Sequence, residues 1–185
     1  MKINNIFPSS ISNISFSKAK NNIPKFESED KIELGIDISS RSEFPINILS
    51  NFTETNFVLD GVNIKSMEGF LQSLKTPDLE MQKKICSEYG TKAKGYGKKL
   101  NKKRNYDFKH LYWNGKRYNR QSKEYIELLN KAYSARYEAD SDFRFALEYT
   151  KGRALKHSIG GKDNTRTLLT EQEFVGILTQ LRDNN

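Results

Sequence analysis

The stretch Phe57-Val58-Leu59-Asp60-Gly61-Val62-Asn63-Ile64-Lys65-Ser66-Met67-Glu68-Gly69-Phe70-Leu71-Gln72-Ser73-Leu74-Lys75 changes its hydrophobic period halfway along. The first half is two apolar runs around Asp60-Gly61, and such a dipeptide suits a type I′ turn because both central positions need positive φ. A β-hairpin is expected there. In the second half, Ser66 is placed to cap a helix, and Met67, Phe70, Leu71 and Leu74 follow at i, i+3, i+4 and i+7. An amphipathic helix is expected directly after the hairpin.

Working outward, Leu111-Tyr112-Trp113, Asn114-Gly115 and Lys116-Arg117-Tyr118 repeat the hairpin device. Upstream, Ile32, Leu34, Ile36 and Ile38 alternate with Glu33, Gly35, Asp37 and Ser39, the period of a half-buried strand. Two hairpins and one strand suffice for a small sheet, not a sandwich. The first helix should stop at Thr76-Pro77, with Pro77 opening the next at its first helical position. Leu79, Gln82, Ile85, Cys86 and Tyr89 continue that second helix, and Gly90 should end it. A longer helix is expected from near Ser122 through Tyr125, Ile126, Leu129, Tyr133 and Tyr137, and another from Ser141 through Phe143, Ala146 and Leu147. The last begins with a capping box, Thr170 with Glu173, and carries Phe174, Ile177, Leu178 and Leu181. The expected fold class is α+β, a helix-dominated single domain with a small sheet of hairpins spanning 31–185. Residues 1–30, rich in Ser, Asn, Ile and Lys, read as a flexible N-terminal tail.

The 185 residues are 36% hydrophobic, 11% aromatic and 29% charged, so one domain with aromatic-rich packing is expected and wholesale disorder is not. A single cysteine, Cys86, excludes an internal disulfide, and with only His110 and His157 beside it there is no metal cluster to build. Neither a membrane span nor the apolar core of a secretory signal is present, so a soluble cytoplasmic protein is expected. The net charge of +8 is uneven. Between Thr91 and Tyr125 twelve basic residues face only Asp107 and Glu124, a local +10, while the remainder is −2. Such a block points to a polyanionic ligand (nucleic acid, a nucleotide or a phosphorylated sugar), or else to a solvated lysine-rich loop.

Few residues carry a chemical signal by spacing alone. Glu68, Gln72 and Lys75 share one helix face, yet a first-turn glutamate is ordinarily a dipole-stabilising residue. Ser50-Asn51 lies in a loop, where such pairs usually make local turn bonds. Gly95-x-Gly97-Lys98-Lys99 lacks the context of a phosphate loop, although its glycines allow close approach of a phosphate. Tyr112 and Trp113 suit sheet packing at least as well as base stacking.

Taken together, Leu49-Ser50-Asn51-Phe52, then Phe57 to Val62, then Ser66-x-Glu68-x-x-x-Gln72-x-x-Lys75 resemble the NADAR superfamily of YbiA-like N-glycosidases in order and spacing. Lys92-Ala93-Lys94 with Gly97 resembles that family's lysine- and glycine-bearing segment. Leu147-Glu148-Tyr149-Thr150 followed by Leu155 resembles its L-x-x-T…L segment. The resemblance spans about residues 31–183. Gly69 stands where many members have histidine, Arg136-Tyr137-Glu138-Ala139 where they have K-F-x-Q, and Leu155-Lys156-His157 where they have L-V-E, which marks a divergent branch.

The resemblance implies hydrolysis of an N-glycosidic bond on a ribose phosphate or an ADP-ribose-type substrate, such as an ADP-ribosylated guanine base or a phosphoribosylamino metabolite. The partner would be that small molecule, free or carried on nucleic acid. No membrane, metal or organic cofactor is implied. Glu68 would stabilise the oxocarbenium-like ribose or activate water. Ser50, Asn51 and Gln72 would hold the ribose, and the basic segment with Lys94 and Lys98 would hold phosphates. Tyr112 and Trp113 would stack on the base, and His157 and Asp163 would approach the same cleft. The alternative readings are a non-catalytic ADP-ribose or nucleotide binder and a nucleic-acid-binding module built on the +10 segment.

Overall fold

Both dipeptide turns form as their chemistry requires in the computed structural model, which describes residues 35–185. Strand β1 (Ile36–Asp37) is followed by a 3₁₀ turn (Ile46–Leu49) and by the hairpin of β2 (Phe57–Leu59) and β3 (Val62–Ile64). Asp60 and Gly61 lie at φ 51° and 79°, and the pairing runs from Phe57↔Ile64 to Leu59↔Val62. Three helices follow: α1 (Met67–Ser73), α2 (Leu79–Cys86) and α3 (Gly90–Lys103). The second hairpin joins β4 (His110–Trp113) to β5 (Lys116–Asn119), with Asn114 and Gly115 at φ 47° and 81°. Then come α4 (Lys123–Ala139), α5 (Ser141–Tyr149), β6 (Leu155–Lys156) and α6 (Glu171–Asp183).

The helix caps follow the residues that were suited to them. Ser66 accepts from the Gly69 N–H at 2.8 Å, Ser122 accepts from Tyr125, and Thr170 and Glu173 complete a capping box on α6. Phe70, Leu111, Trp113, Leu129, Tyr133, Phe143 and Phe174 meet in one core between the two hairpins and the helices. Three arginines, Arg120, Arg136 and Arg182, are buried with it and donate to main-chain carbonyls. A charge so placed is retained only when its N–H groups are satisfied.

Four expectations differ from this arrangement. The strands form three separate two-stranded sheets, because β1 pairs in parallel with β6, a two-residue strand with no periodic signal of its own. Pro77 precedes α2, whose N-cap is Asp78, accepting from the Met81 N–H at 3.0 Å. Gly90 starts α3 instead of ending α2, its φ of 54° turning the chain between them. The first part of the lysine-rich segment is itself the helix α3. Its buried side is only Ala93 and Gly97, flanked by half-buried Tyr96 and Leu100, so the apolar stripe has too little hydropathy to register. The tail at 1–30 and the alternating residues Ile32 and Leu34 lie outside the described residues.

Candidate active site

Helix α1 packs against both α2 and α3, so the face bearing Glu68, Gln72 and Lys75 is enclosed and not presented to bulk water. Glu68 is only 7% exposed. The Gln72 amide donates to Glu68 Oε1 at 3.0 Å, and Lys75 Nζ donates to Gln72 Oε1 at 2.6 Å, so one helix face carries a carboxylate, an amide and an ammonium in line. Lys75 Nζ also lies 3.4 Å from the Gly97 carbonyl of α3. Burial raises the Glu68 carboxyl above its ordinary range, opposed by Lys94, by the Gln72 hydrogen bond and by Lys75. The same burial lowers the Lys75 ammonium to about 8, against the attraction of Glu68.

Two glycines let the helices approach this closely. A Cβ at Gly97 would overlap the Gln72 carboxamide and stand 2.9 Å from even its Cγ. A Cβ at Gly69 would lie 2.7 Å from the Glu88 carbonyl and 2.9 Å from that of Ile85. The helix therefore has no room for a histidine after Glu68.

The loop before the first hairpin supplies the next groups. Arg136, fully buried on α4, donates to the carbonyls of Ile48 at 2.8 Å and Ser50 at 3.4 Å and packs over Phe143. The Asn51 carbonyl accepts the Glu68 N–H at 2.8 Å, which ties the loop to the first turn of α1. Asn51 Oδ1 accepts from the buried Tyr133 hydroxyl at 2.7 Å, so the other side of the amide is a donor. Ser50 Oγ is occupied by the Phe52 N–H at 3.2 Å.

These residues form one wall of a cleft of about 730 Å³, also lined by Phe52, Lys94, Asn101 and Phe108. A second wall comes from both ends of the described chain: Asp37 of β1 with Ser39, Ser40 and Arg41 after it, His157 with Ile159, Gly160 and Gly161, and Arg166–Thr170 with Phe174. Its loops are pinned individually. His157 Nδ1 lies 2.7 Å from the Ile38 carbonyl, and Asp37 accepts from the Ser158 N–H at 2.9 Å and from its hydroxyl. Arg120 Nε donates to the Thr167 carbonyl at 2.7 Å while its fork holds Glu173. The volume falls within the usual range for small-molecule sites, and a few polar groups converge in a partly apolar surround.

The cleft therefore brings together Glu68, Ser50, Asn51, Gln72, Lys94 and His157, with Lys75, Arg41 and Arg166 added to them. Four expected residues stand elsewhere. Trp113 is 2% exposed, packs edge-on to Phe70 at 5.0 Å and donates its indole N–H to Asp60 at 2.9 Å, so it has no face to offer a base. Tyr112 lies in β4 below Arg104, its main chain bound to Leu74 and Gln82. Lys98 is exposed one turn beyond Lys94, outside the lining. Asp163 is exposed and spends its carboxylate on Thr165 in a local turn. Besides the buried Phe174, the phenyl surfaces of the cleft are Phe52 and Phe108, each with a lysine over its ring, Lys94 at 5.2 Å and Lys75 at 5.6 Å. Lys75 was detectable in the sequence, seven residues from Glu68 on its own face. Phe108, a lone apolar residue in a charged segment, had no periodicity to mark it. Among the described residues no three His, Cys, Asp or Glu side chains are grouped to hold a metal ion.

A family model described as bacteriophage protein GP30.3 matches residues 43–183. A 17.1 kDa protein in the Gp30–rIII intergenic region of Enterobacteria phage T4 is 38% identical over 149 residues, covering 80% of this chain and 97% of that protein. The NMR structure of the E. coli protein YbiA superposes with a TM-score of 0.52 at 19% identity, over 80% of this chain and 83% of that one. The α+β fold is thus YbiA-like. No helix among the described residues is long and apolar enough to cross a membrane.

Proposed function

The chain belongs to the bacteriophage protein GP30.3 family, and on a YbiA-like fold we propose that it hydrolyses an N-glycosidic bond on a ribose phosphate or an ADP-ribose-type substrate. One observation carries the reading. A first-turn glutamate that serves only the helix dipole sits in water, whereas Glu68 is buried on a cleft wall with an amide as its partner and no direct ion pair among the described residues. Such burial is costly to stability and is a common mark of a carboxylate kept for chemistry.

In this scheme the C1–N bond lengthens and the ribose takes on oxocarbenium character. The Glu68 carboxylate, made more basic by burial, stabilises the cation by its charge and takes a proton from water as the water oxygen attacks C1. Gln72, oriented by Lys75, and the donor side of Asn51, oriented by Tyr133, hold the ribose hydroxyls. Lys94, Arg41 and Arg166 attract the phosphates from the rim, and Phe52 or Phe108 carries the base.

The deciding experiment incubates the protein with ADP-ribosylated guanosine, measuring released ADP-ribose, and separately with a free phosphoribosylamine, measuring released ribose phosphate. Glu68→Gln keeps the shape and the Gln72 bond but not the charge. It should retain ligand binding while kcat falls by about 10²- to 10⁴-fold with little change in KM. Turnover by Glu68→Gln at the wild-type rate would refute the assignment. Binding without turnover in both proteins would favour a non-catalytic nucleotide binder.

A further inference from the structure

His157 is a titratable group on the second wall of the same cleft, and its geometry is more constrained than a surface histidine requires. A carbonyl oxygen only accepts, so the 2.7 Å contact with Ile38 fixes the hydrogen on Nδ1. The neutral ring therefore carries its lone pair on Nε2, and protonation adds a hydrogen only there. The ring packs edge-on to Phe174 with centroids 4.9 Å apart, and Phe174 in turn meets Tyr133, the donor that orients Asn51. On its other edge the loop comes in so closely that a Cβ at Gly160 would stand 2.8 Å from His157 Cδ2. Nε2 has no hydrogen-bond partner among the described residues and is not among the sealed polar atoms, while the residue lines the cleft that Glu68 lines.

The charged groups around this ring come from every neighbouring element. Asp37 of β1 is occupied by Ser158, Glu171 of α6 receives the His157 main-chain N–H at 3.4 Å, Lys156 precedes it in the chain, and Arg41 and Arg166 stand on the cleft lining. None of the hydrogen bonds made by these groups reaches Nε2.

We propose that His157 is the general acid of the reaction, delivering the proton from Nε2 to the departing nitrogen. This rests on the glycosidase reading above. As the C1–N bond breaks, its electron pair goes to nitrogen and the imidazolium proton goes with it. The water oxygen bonds to C1 and its proton goes to Glu68, and solvent returns that proton to the imidazole after the products leave. One water is consumed, and the products are the C1-hydroxyl sugar phosphate and the neutral base or amine. Two titratable groups on different walls of one cleft, each fixed by its own hydrogen bond, are what such a two-proton scheme needs.

The test compares two substrates with the same sugar phosphate, one carrying a guanine-type base and one carrying 4-nitrophenolate, which departs as an anion without help. The proteins are the wild type and His157→Asn, whose amide can still donate to the Ile38 carbonyl. His157→Asn should lose about 10²- to 10⁴-fold in kcat on the base substrate and almost nothing on the nitrophenyl substrate. Turnover of the nitrophenyl substrate also serves as the check that the variant is folded. The alkaline fall in the wild-type rate on the base substrate should be absent from His157→Asn, and the nitrophenyl rate should lack it in both proteins. An equal loss on both substrates, or no loss on either, overturns this proposal and leaves the glycosidase reading intact. A wild type inactive on both overturns the glycosidase reading and the proposal with it.

Discussion

Gly97→Ala and Gly95→Ala place the same methyl group on the same helix, two residues apart, with opposite expected outcomes. In a helix interior alanine is favoured over glycine by about 1 kcal/mol, and at Gly95 nothing lies within 4 Å of the new Cβ. Gly95→Ala should therefore stabilise the protein by up to about 1 kcal/mol. At Gly97 the Cβ overlaps the Gln72 carboxamide, which must rotate out of its place. Rotation breaks the 3.0 Å bond to Glu68 and the 2.6 Å bond from Lys75. Hydrogen bonds to charged groups contribute about 1.5–3 kcal/mol each, and both partners regain cleft water, so about 3 kcal/mol is lost in total. Set against the gain in propensity, Gly97→Ala should destabilise by about 2 kcal/mol. Urea unfolding at unchanged m would show the two variants about 3 kcal/mol apart, with the wild type between them. Turnover of a ribosyl substrate should survive in Gly95→Ala and fall with Gly97→Ala, because Glu68 loses the partner that orients it. Equal stabilisation by both substitutions would show that Gln72 is not wedged beneath α3.

Three further outcomes follow from named contacts. Lys75 titrates at about 8 in the folded protein against 10.5 unfolded, so the unfolded chain binds more protons between those values and stability rises with pH across that window. Lys75→Met should abolish that rise, worth about 2 kcal/mol between pH 8 and 10, in paired denaturation curves. Burial works against the Glu173 carboxylate, but Arg120 and the Thr170 N–H hold its pKa below 4.5 all the same. The stability it contributes is complete above that value and is lost as pH falls through the folded one, and Arg120→Met should remove this acid limb at a cost of about 3 kcal/mol. Lys94→Ala should raise KM with kcat little changed, since phosphate attraction is shared by substrate and transition state, whereas Lys98→Ala, outside the lining, should leave both constants near wild type.

The elements that were legible in the sequence are those whose signal is local. Asp60-Gly61 and Asn114-Gly115 specify turn geometry within two residues, and Ser66, Ser122 and Thr170 specify helix starts within four. Helix α3 escaped because its packing face is built from residues chosen for absence of volume. Ala93 and Gly97 let Gln72 and Lys75 reach across, and no hydropathy scale rewards a missing side chain. The pair β1–β6 escaped because two residues paired across more than a hundred positions have no local trace. Charge was misleading for the same reason as hydropathy. Arg120 counted toward the basic block, yet it is buried on Glu173 and Thr167 and belongs to the core. Trp113, named with Tyr112 as a possible stacking surface, is instead the sheet-packing residue its hairpin position also suited, its indole serving Asp60 and Phe70.

The two walls of the cleft differ in how they are assembled. The Glu68 wall is largely local: residues 48–52, α1 and α3 lie within one stretch of chain, and Tyr133 and Arg136 lock the loop from a single helix. The His157 wall exists only where the start and end of the described chain meet. It is held by the β1–β6 pair, by the His157 contact with Ile38, by the Ser158 bonds to Asp37 and by the Glu171 N–H to the Gly161 carbonyl at 2.9 Å. Ile36, Ile38 and Leu155 are buried on one side of this pair, but the pair is only two residues long and Asp37, Lys156 and Ser158 on its other side are exposed. Local opening is cheapest where backbone hydrogen bonds are few and solvated, so the second wall should open well below the cost of global unfolding. A ligand that touches both walls closes that opening by mass action, so its binding energy is divided between contact and ordering. Amide exchange at Ile38, bonded to the Lys156 carbonyl at 2.9 Å, should then slow on ligand binding, while exchange at Phe70 in α1 should not change. A ligand that left Ile38 exchange unaltered would be bound by the Glu68 wall alone, and His157 would then be too far from the substrate to act.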